Sequence, residues 1–254
     1  MPTFVEEHRI ICMKKDTYLI KATPKQVDWL TFATNQAMRI HIGQLTDPLT
    51  VLLNFELAYP RHHEGKLCPQ EVEERLEKLS RMCWDGTTTG YAYSEKSRAL
   101  WDLYQLFKPQ VGQSGTQTFT VDRDQLLRLR EATKQASRLR VGQTRESMLD
   151  ELLAAYHRTH AKRNPDTPKD WEIRRAITEE LDELHRLCWD MSTHACYDLG
   201  YDACSDGCWS MYEAIRHLLW KEEHPNPTAL DRLSVSACPP IILGDQPLIN
   251  ITRI

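Results

Sequence analysis

No stretch of this chain approaches the roughly 18 to 20 apolar residues that a membrane helix requires, so no spanning segment is expected. A surplus of positive charge is missing as well. The formal net charge is −4, which gives no electrostatic case for gripping a nucleic-acid backbone, although a local basic pocket is still allowed. Glycine is sparse, at ten residues, and none of the glycine patterns that cradle a phosphate or a dinucleotide is present. Gly-x-Ser-x-Gly and His-Glu-x-x-His are absent too, so the sequence offers no ready constellation for nucleophilic or zinc-dependent catalysis, and no cofactor is implied. The opening stretch "MPTFVEEHRIICMKKD" has two early glutamates and no sustained apolar run, unlike a secretory signal. The expected location is the cytoplasm, where the eight cysteines stay thiols.

What the chain does contain is itself, twice. "AMRIHIGQ" (37–44) returns as "ASRLRVGQ" (136–143). A shift of 99 residues sets Gln26, Leu30, Ala33, Ala37, Arg39, Gly43 and Gln44 on Gln125, Leu129, Ala132, Ala136, Arg138, Gly142 and Gln143. At a shift of 105, "LEKLSRMCWD" meets "LDELHRLCWD"; at 108, Trp101 and Tyr104 meet Trp209 and Tyr212. Collinear matches under a slowly growing shift read as a tandem duplication with small loop insertions.

Each copy opens on a β-prone run, "TYLIKA" or "TFTV". A capping-box signal then starts a helix, with Thr23, Pro24 and Gln26 in one copy and Asp122 and Gln125 in the other. Further helices are expected from near Thr46 and Thr144, from near Pro69 and Thr167-Pro168, and over roughly Ser94–Phe107 and Asp206–Trp220. The fold class is therefore mainly α with a minor β part (α+β). Two tandem helical repeats, each a short strand plus about four helices, are expected to pack as a pseudo-dimer with extended N- and C-terminal segments. The divisions are residues 1–108 (N-terminal extension and repeat 1), 109–115 (linker), 116–220 (repeat 2) and 221–254 (a Pro-rich extended tail).

The candidate site residues come in pairs. Arg39 and Arg138, each followed by a glycine and then Gln44 or Gln143, can offer a planar guanidinium to a phosphate or carboxylate, or can cap helix carbonyls. Trp84 and Trp189, with the loop residues Tyr91 and Tyr197, suit stacking on a flat ring and equally suit a core. Glu74 and Glu77, with Glu179 and Asp182, lie on one helix face and could hold a divalent cation or simply face water; "EELDE" resembles one acidic helix of the all-α nucleotide pyrophosphohydrolases. His194, Cys196, Cys204, Cys208 and His217 are metal-ligand types without a usual zinc spacing, and read as free thiols and ordinary histidines, so no metal is assigned.

The Arg-x-x-x-Gly-Gln helix end, a later loop tyrosine, the Asp-x-Tyr-Gln of "RALWDLYQLF" and the Ile-Arg-His of "IRHLLW" together resemble small proteins encoded by bacteriophages. The resemblance implies a phage setting in a host cytoplasm and no assigned catalytic activity. Arg216 and His217 match its closing motif, whereas copy one has Leu106, Phe107 and Lys108 there. The leading expectation is a non-enzymatic protein holding a small anionic, nucleotide-like ligand, with sequestration of a host immune signal as its use and homo-oligomers allowed. A metal-dependent nucleotide hydrolase and a protein–protein adaptor are the alternatives. What separates them is where Arg39 and Arg138 point.

Overall fold

The computed structural model describes residues 16–45, 69–84, 86, 94–160, 169–189, 203–225 and 249–254. Strand β1 (Thr17–Ala22) buries Tyr18, Ile20 and Ala22 on one face, as its alternating pattern requires. It pairs antiparallel with β2 (Gln117–Asp122), Ile20 opposite Phe119. On its other edge it pairs with β3 (Asn250–Arg253), so the last residues of the Pro-rich tail complete a three-stranded sheet.

Helix α1 (Pro24–His41) starts where the capping box predicts. The Gln26 N–H donates to Thr23 Oγ1 and the Thr23 N–H donates to Gln26 Oε1. Asp122 and Gln125 repeat the exchange at α4 (Arg123–Arg140). The other described helices are α2 (Pro69–Cys83), α3 (Glu95–Phe107), α5 (Thr144–His160), α6 (Asp170–Cys188) and α7 (Ala203–Glu223). The helix expected from near Thr46 lies outside the described residues; its counterpart is α5. The expected linker begins as a 3-10 turn over Lys108–Gln110, and Gly112 and Gly115 then take positive φ.

Two apolar clusters hold these elements. Under the sheet, Tyr18, Ile20, Phe119 and Val121 pack with Leu30, Leu103, Phe107, Leu129, Met211 and Ile215 from α1, α3, α4 and α7. Beyond it, α2, α5 and α6 pack Leu76, Leu79, Leu152, Ile177, Leu181 and Leu184 around Ile40 and Leu139, at the far ends of α1 and α4. Each fully buried leucine contributes about 1.5–3 kcal/mol of transfer free energy. Both halves of the chain supply both clusters, so α1 and α4 act as paired struts. A partly buried ion pair ties α2 to α6: Glu180 accepts from Arg75 Nη1 at 2.8 Å and from Lys78.

Candidate ligand-binding site

The repeated Arg-x-x-x-Gly-Gln has a local explanation. Gly43 (φ 75°) accommodates the left-handed turn that ends α1, its N–H reaching Ile40 O and the Gln44 N–H reaching Arg39 O. Gly142 (φ 80°) ends α4 identically, with N–H groups on Leu139 O and Arg138 O. A second constraint acts on both glycines. A Cβ at Gly43 would overlap the Cys83 carbonyl, and one at Gly142 the Cys188 carbonyl, because each helix end presses on the backbone where α2 or α6 finishes. This accounts for the company of Gly-Gln with Cys83 in one place and with Cys188 in the other. In this terminal motif the arginine and glutamine face each other across the last turn, in the places where an apolar pair is common.

The two arginines then diverge. Arg39 is held by its own helix end: Nη1 donates to Gln44 Oε1 at 2.8 Å and Nε to Asn35 Oδ1 at 3.3 Å. Four residues before Arg138 stands Lys134, a cation with no lone pair to offer. Arg138 Nε is accordingly buried and has no partner. An orphaned buried donor costs about 1–3 kcal/mol, so it calls for a reason.

Arg138 lines a cavity of about 220 Å³ between α1, α3, α4 and α5. At about 30 Å³ per water that is room for roughly seven waters, or a small metabolite. From α4 come Arg128, Glu131, Lys134, Gln135 and Arg138; from α5, Glu146, Ser147, Asp150 and Glu151; from α3, Lys96 and Leu100; and Ala37 gives α1 a small wall. Some of this charge is spent internally. Lys96 pairs with Glu151, and Glu131 takes Arg130 from outside the cavity. Lys134 lies over the Tyr212 ring, 5.6 Å from its centroid. Arg128 and Arg138 are the cavity's remaining positive charges, with the carboxylates of Glu146 and Asp150 in the same lining.

Beside the cavity lies a relay assembled from three elements. His41 Nδ1 is 2.6 Å from Glu151 Oε2, and His41 Nε2 is 2.8 Å from Ser94 Oγ at the start of α3. Burial alone would raise the Glu151 carboxyl. The His41 hydrogen bond and the charge and hydrogen bond of Lys96 override it and hold Glu151 at about 2. Sequence patterns missed this Ser–His–Glu arrangement because its members are 53 and 110 residues apart.

The remaining sequence candidates are scattered. Trp84, 41% exposed, and Trp189, stacked on His185 at 5.0 Å, finish α2 and α6 and do not line the cavity. Gln44 serves Arg39, and Gln143 N–H closes the α4 cap. Arg216 is engaged by Glu213 on α7. On the same helix His217 is pushed down by burial, and further by Lys221 and Arg216. Tyr91, Tyr197, His194 and Cys196 lie outside the described residues. Cys204 and Cys208 form no disulfide, and burial pushes the Cys83 and Cys188 thiols up to about 12. Of the acidic set, Glu77 pairs with Arg81, Glu179 with Arg175 and Asp182 with Arg145, while Glu74 accepts from Gln70. Among the described residues no three His, Cys, Asp or Glu side chains are grouped to hold a metal ion.

No family model, curated protein or solved structure matches this chain. No helix of the described residues is long and apolar enough to cross a membrane.

Proposed function

We propose that the chain is a fused pseudo-dimer that binds one small anionic ligand in the cavity at Arg138. The observation carrying the ligand is the buried, unpartnered Nε of Arg138 at the cavity wall. A carboxylate or phosphate oxygen is the acceptor that this nitrogen lacks. Arg128 adds a second positive charge, and Asp150 and Glu146 receive hydrogen-bond donors on the same ligand. A nucleotide carries both kinds of group, as does an amino acid.

Pairing across equivalent positions supports the pseudo-dimer. In a two-fold assembly, residues near the axis meet their own equivalents. Under the 99-residue shift Ile20 corresponds to Phe119, and these two face each other in the sheet. Under the 105-residue shift Arg75 corresponds to Glu180, and these two form the ion pair between α2 and α6.

The same correspondence explains why one ligand is expected per chain rather than two. The partner of the cavity would lie between α1 and α7, where Arg128 is replaced by Trp29, Glu131 by Phe32, Lys96 by Cys204 and Leu100 by Cys208. There the Trp29 ring packs so tightly on Gly207 that a Cβ at that glycine would overlap it. An aromatic plug takes the place of a charged cavity.

Isothermal titration against nucleoside mono- and triphosphates, cyclic nucleotides and amino acids tests the proposal. The expected result is one site per chain with a Kd below about 100 µM, which is roughly −5.5 kcal/mol. Binding at two equal sites, or none tighter than millimolar, overturns it.

A further inference from the structure

The Ser94–His41–Glu151 relay does more than hold α3 in place. At α1 and α4 the N-terminal caps are completed by a reciprocal glutamine, Gln26 or Gln125, and need no third residue. Ser94 is built differently. Its Oγ accepts the Ser97 N–H at 3.0 Å, and on its other side lies an imidazole whose far nitrogen is on a carboxylate. We propose that Ser94 is a nucleophile for acyl transfer, with His41 as its general base and Glu151 orienting His41, giving the chain an esterase-type activity at the start of α3.

Each part of the geometry has a role in that chemistry. Glu151 is ionised and accepts from His41 Nδ1–H, which fixes the tautomer that leaves Nε2 free to take the Ser94 proton. Lys96, on the other carboxylate oxygen, keeps Glu151 aimed. His41 is 5% exposed, so the base of the relay is shielded from water, while Ser94 is half-buried. Ser97 N–H is the third amide of the helix and is already used by Ser94; the first two, of Glu95 and Lys96, have no acceptor within the helix. They lie at the positive end of α3, beside the hydroxyl, where an oxyanion would need donors.

In the step proposed, Ser94 Oγ bonds to the carbonyl carbon of an ester while its proton passes to His41 Nε2. The carbonyl π pair moves onto oxygen, facing the Glu95 and Lys96 amides. Collapse breaks the bond to the leaving alcohol, which takes the proton from His41. Water then repeats the sequence on the acyl-serine, releasing the carboxylic acid and restoring the hydroxyl.

The test uses the full chain with a fluorophosphonate probe and with 4-nitrophenyl acetate. The expected result is a single phosphonyl adduct mapped by mass spectrometry to Ser94, together with burst release of nitrophenolate. Ser94→Asn keeps a good helix cap without a nucleophile, and should abolish the adduct and lower turnover at least 100-fold with an unchanged circular dichroism spectrum. His41→Gln should do the same to labelling rate. No adduct on the folded wild-type chain overturns the proposal, as does labelling that persists in Ser94→Asn. The proposal rests on residues other than Arg138, so its failure leaves the ligand titration to be judged on its own result.

Discussion

Replacing Arg39 and Arg138 in turn with methionine separates a helix cap from a ligand anchor. Methionine keeps helix propensity and most of the stem's packing, so what is removed is the guanidinium. At Arg39 this deletes two hydrogen bonds, to Gln44 at 2.8 Å and Asn35 at 3.3 Å, from a half-buried position. At about 0.5–1.5 kcal/mol net for each, the loss is about 1–3 kcal/mol. With an m-value of about 2–3 kcal/mol per molar, the urea midpoint should fall by roughly 0.3–1.5 M. Arg138→Met removes a buried donor that has no partner. Its midpoint should stay put or rise slightly, while ligand affinity falls by about tenfold or more, the worth of one charged hydrogen bond. A third variant closes the argument. Lys134→Asn recreates the acceptor that Asn35 gives Arg39, and should stabilise the chain by about 1 kcal/mol while weakening the ligand. Equal destabilisation by Arg39→Met and Arg138→Met would refute the reasoning, since both arginines would then be caps.

Gly142→Ala should cost about 1–2 kcal/mol for the left-handed backbone and a further 1–3 kcal/mol for the overlap with Cys188, whereas Gly115→Ala, with nothing near its Cβ, should cost only the first part; equal urea midpoints for the two would contradict the close approach. Acid should unfold the chain through Glu151. Its carboxyl falls from 4.5 to about 2 on folding, so its contribution is complete above about pH 4.5 and lost as pH drops through 2. At about 1.4 kcal/mol per pH unit that is on the order of 3 kcal/mol, and Glu180, also depressed, adds in the same direction. Urea midpoints measured between pH 5 and 2 should fall steeply in the wild type and less in Glu151→Gln, and parallel slopes would count against it.

Much of the framework could be read from spacing. The capping boxes at Thr23 and Asp122, the left-handed glycines, and the buried stripes Val27–Leu30–Ala33–Ala37–Ile40 and Ile177–Leu181–Leu184–Cys188 are set by neighbours within a helical turn or two. The site could not be read in that way. Arg39 and Arg138 look alike in sequence, and their different surroundings depend on whether an asparagine or a lysine stands one turn earlier. His41, Ser94 and Glu151 become neighbours only through packing of α1, α3 and α5. The acidic pairs lost their interest for the opposite reason. Each carboxylate found a cation or amide close by, as solvated helix faces do.

On the pseudo-dimer reading, the differences between the halves say more about function than the likenesses. A homodimer must present two identical sites, because any substitution appears in both. Joining two copies in one chain lifts that restriction, so one site can be filled while the other is elaborated. The residues fall that way here. Where the α1–α7 contact has Trp29 against Gly207, the α3–α4 contact has Arg128 and an open wall. Where α4 has Arg140, α1 has His41, the one end that builds a relay to Glu151 and Ser94. Gly43 and Gly142, by contrast, are alike because both meet the same backbone constraint. Arg138 is itself a shared position, but the wall around it includes the unshared Arg128, Glu131, Lys96 and Leu100, which is the distribution expected if a single elaborated site is what the fused chain retains.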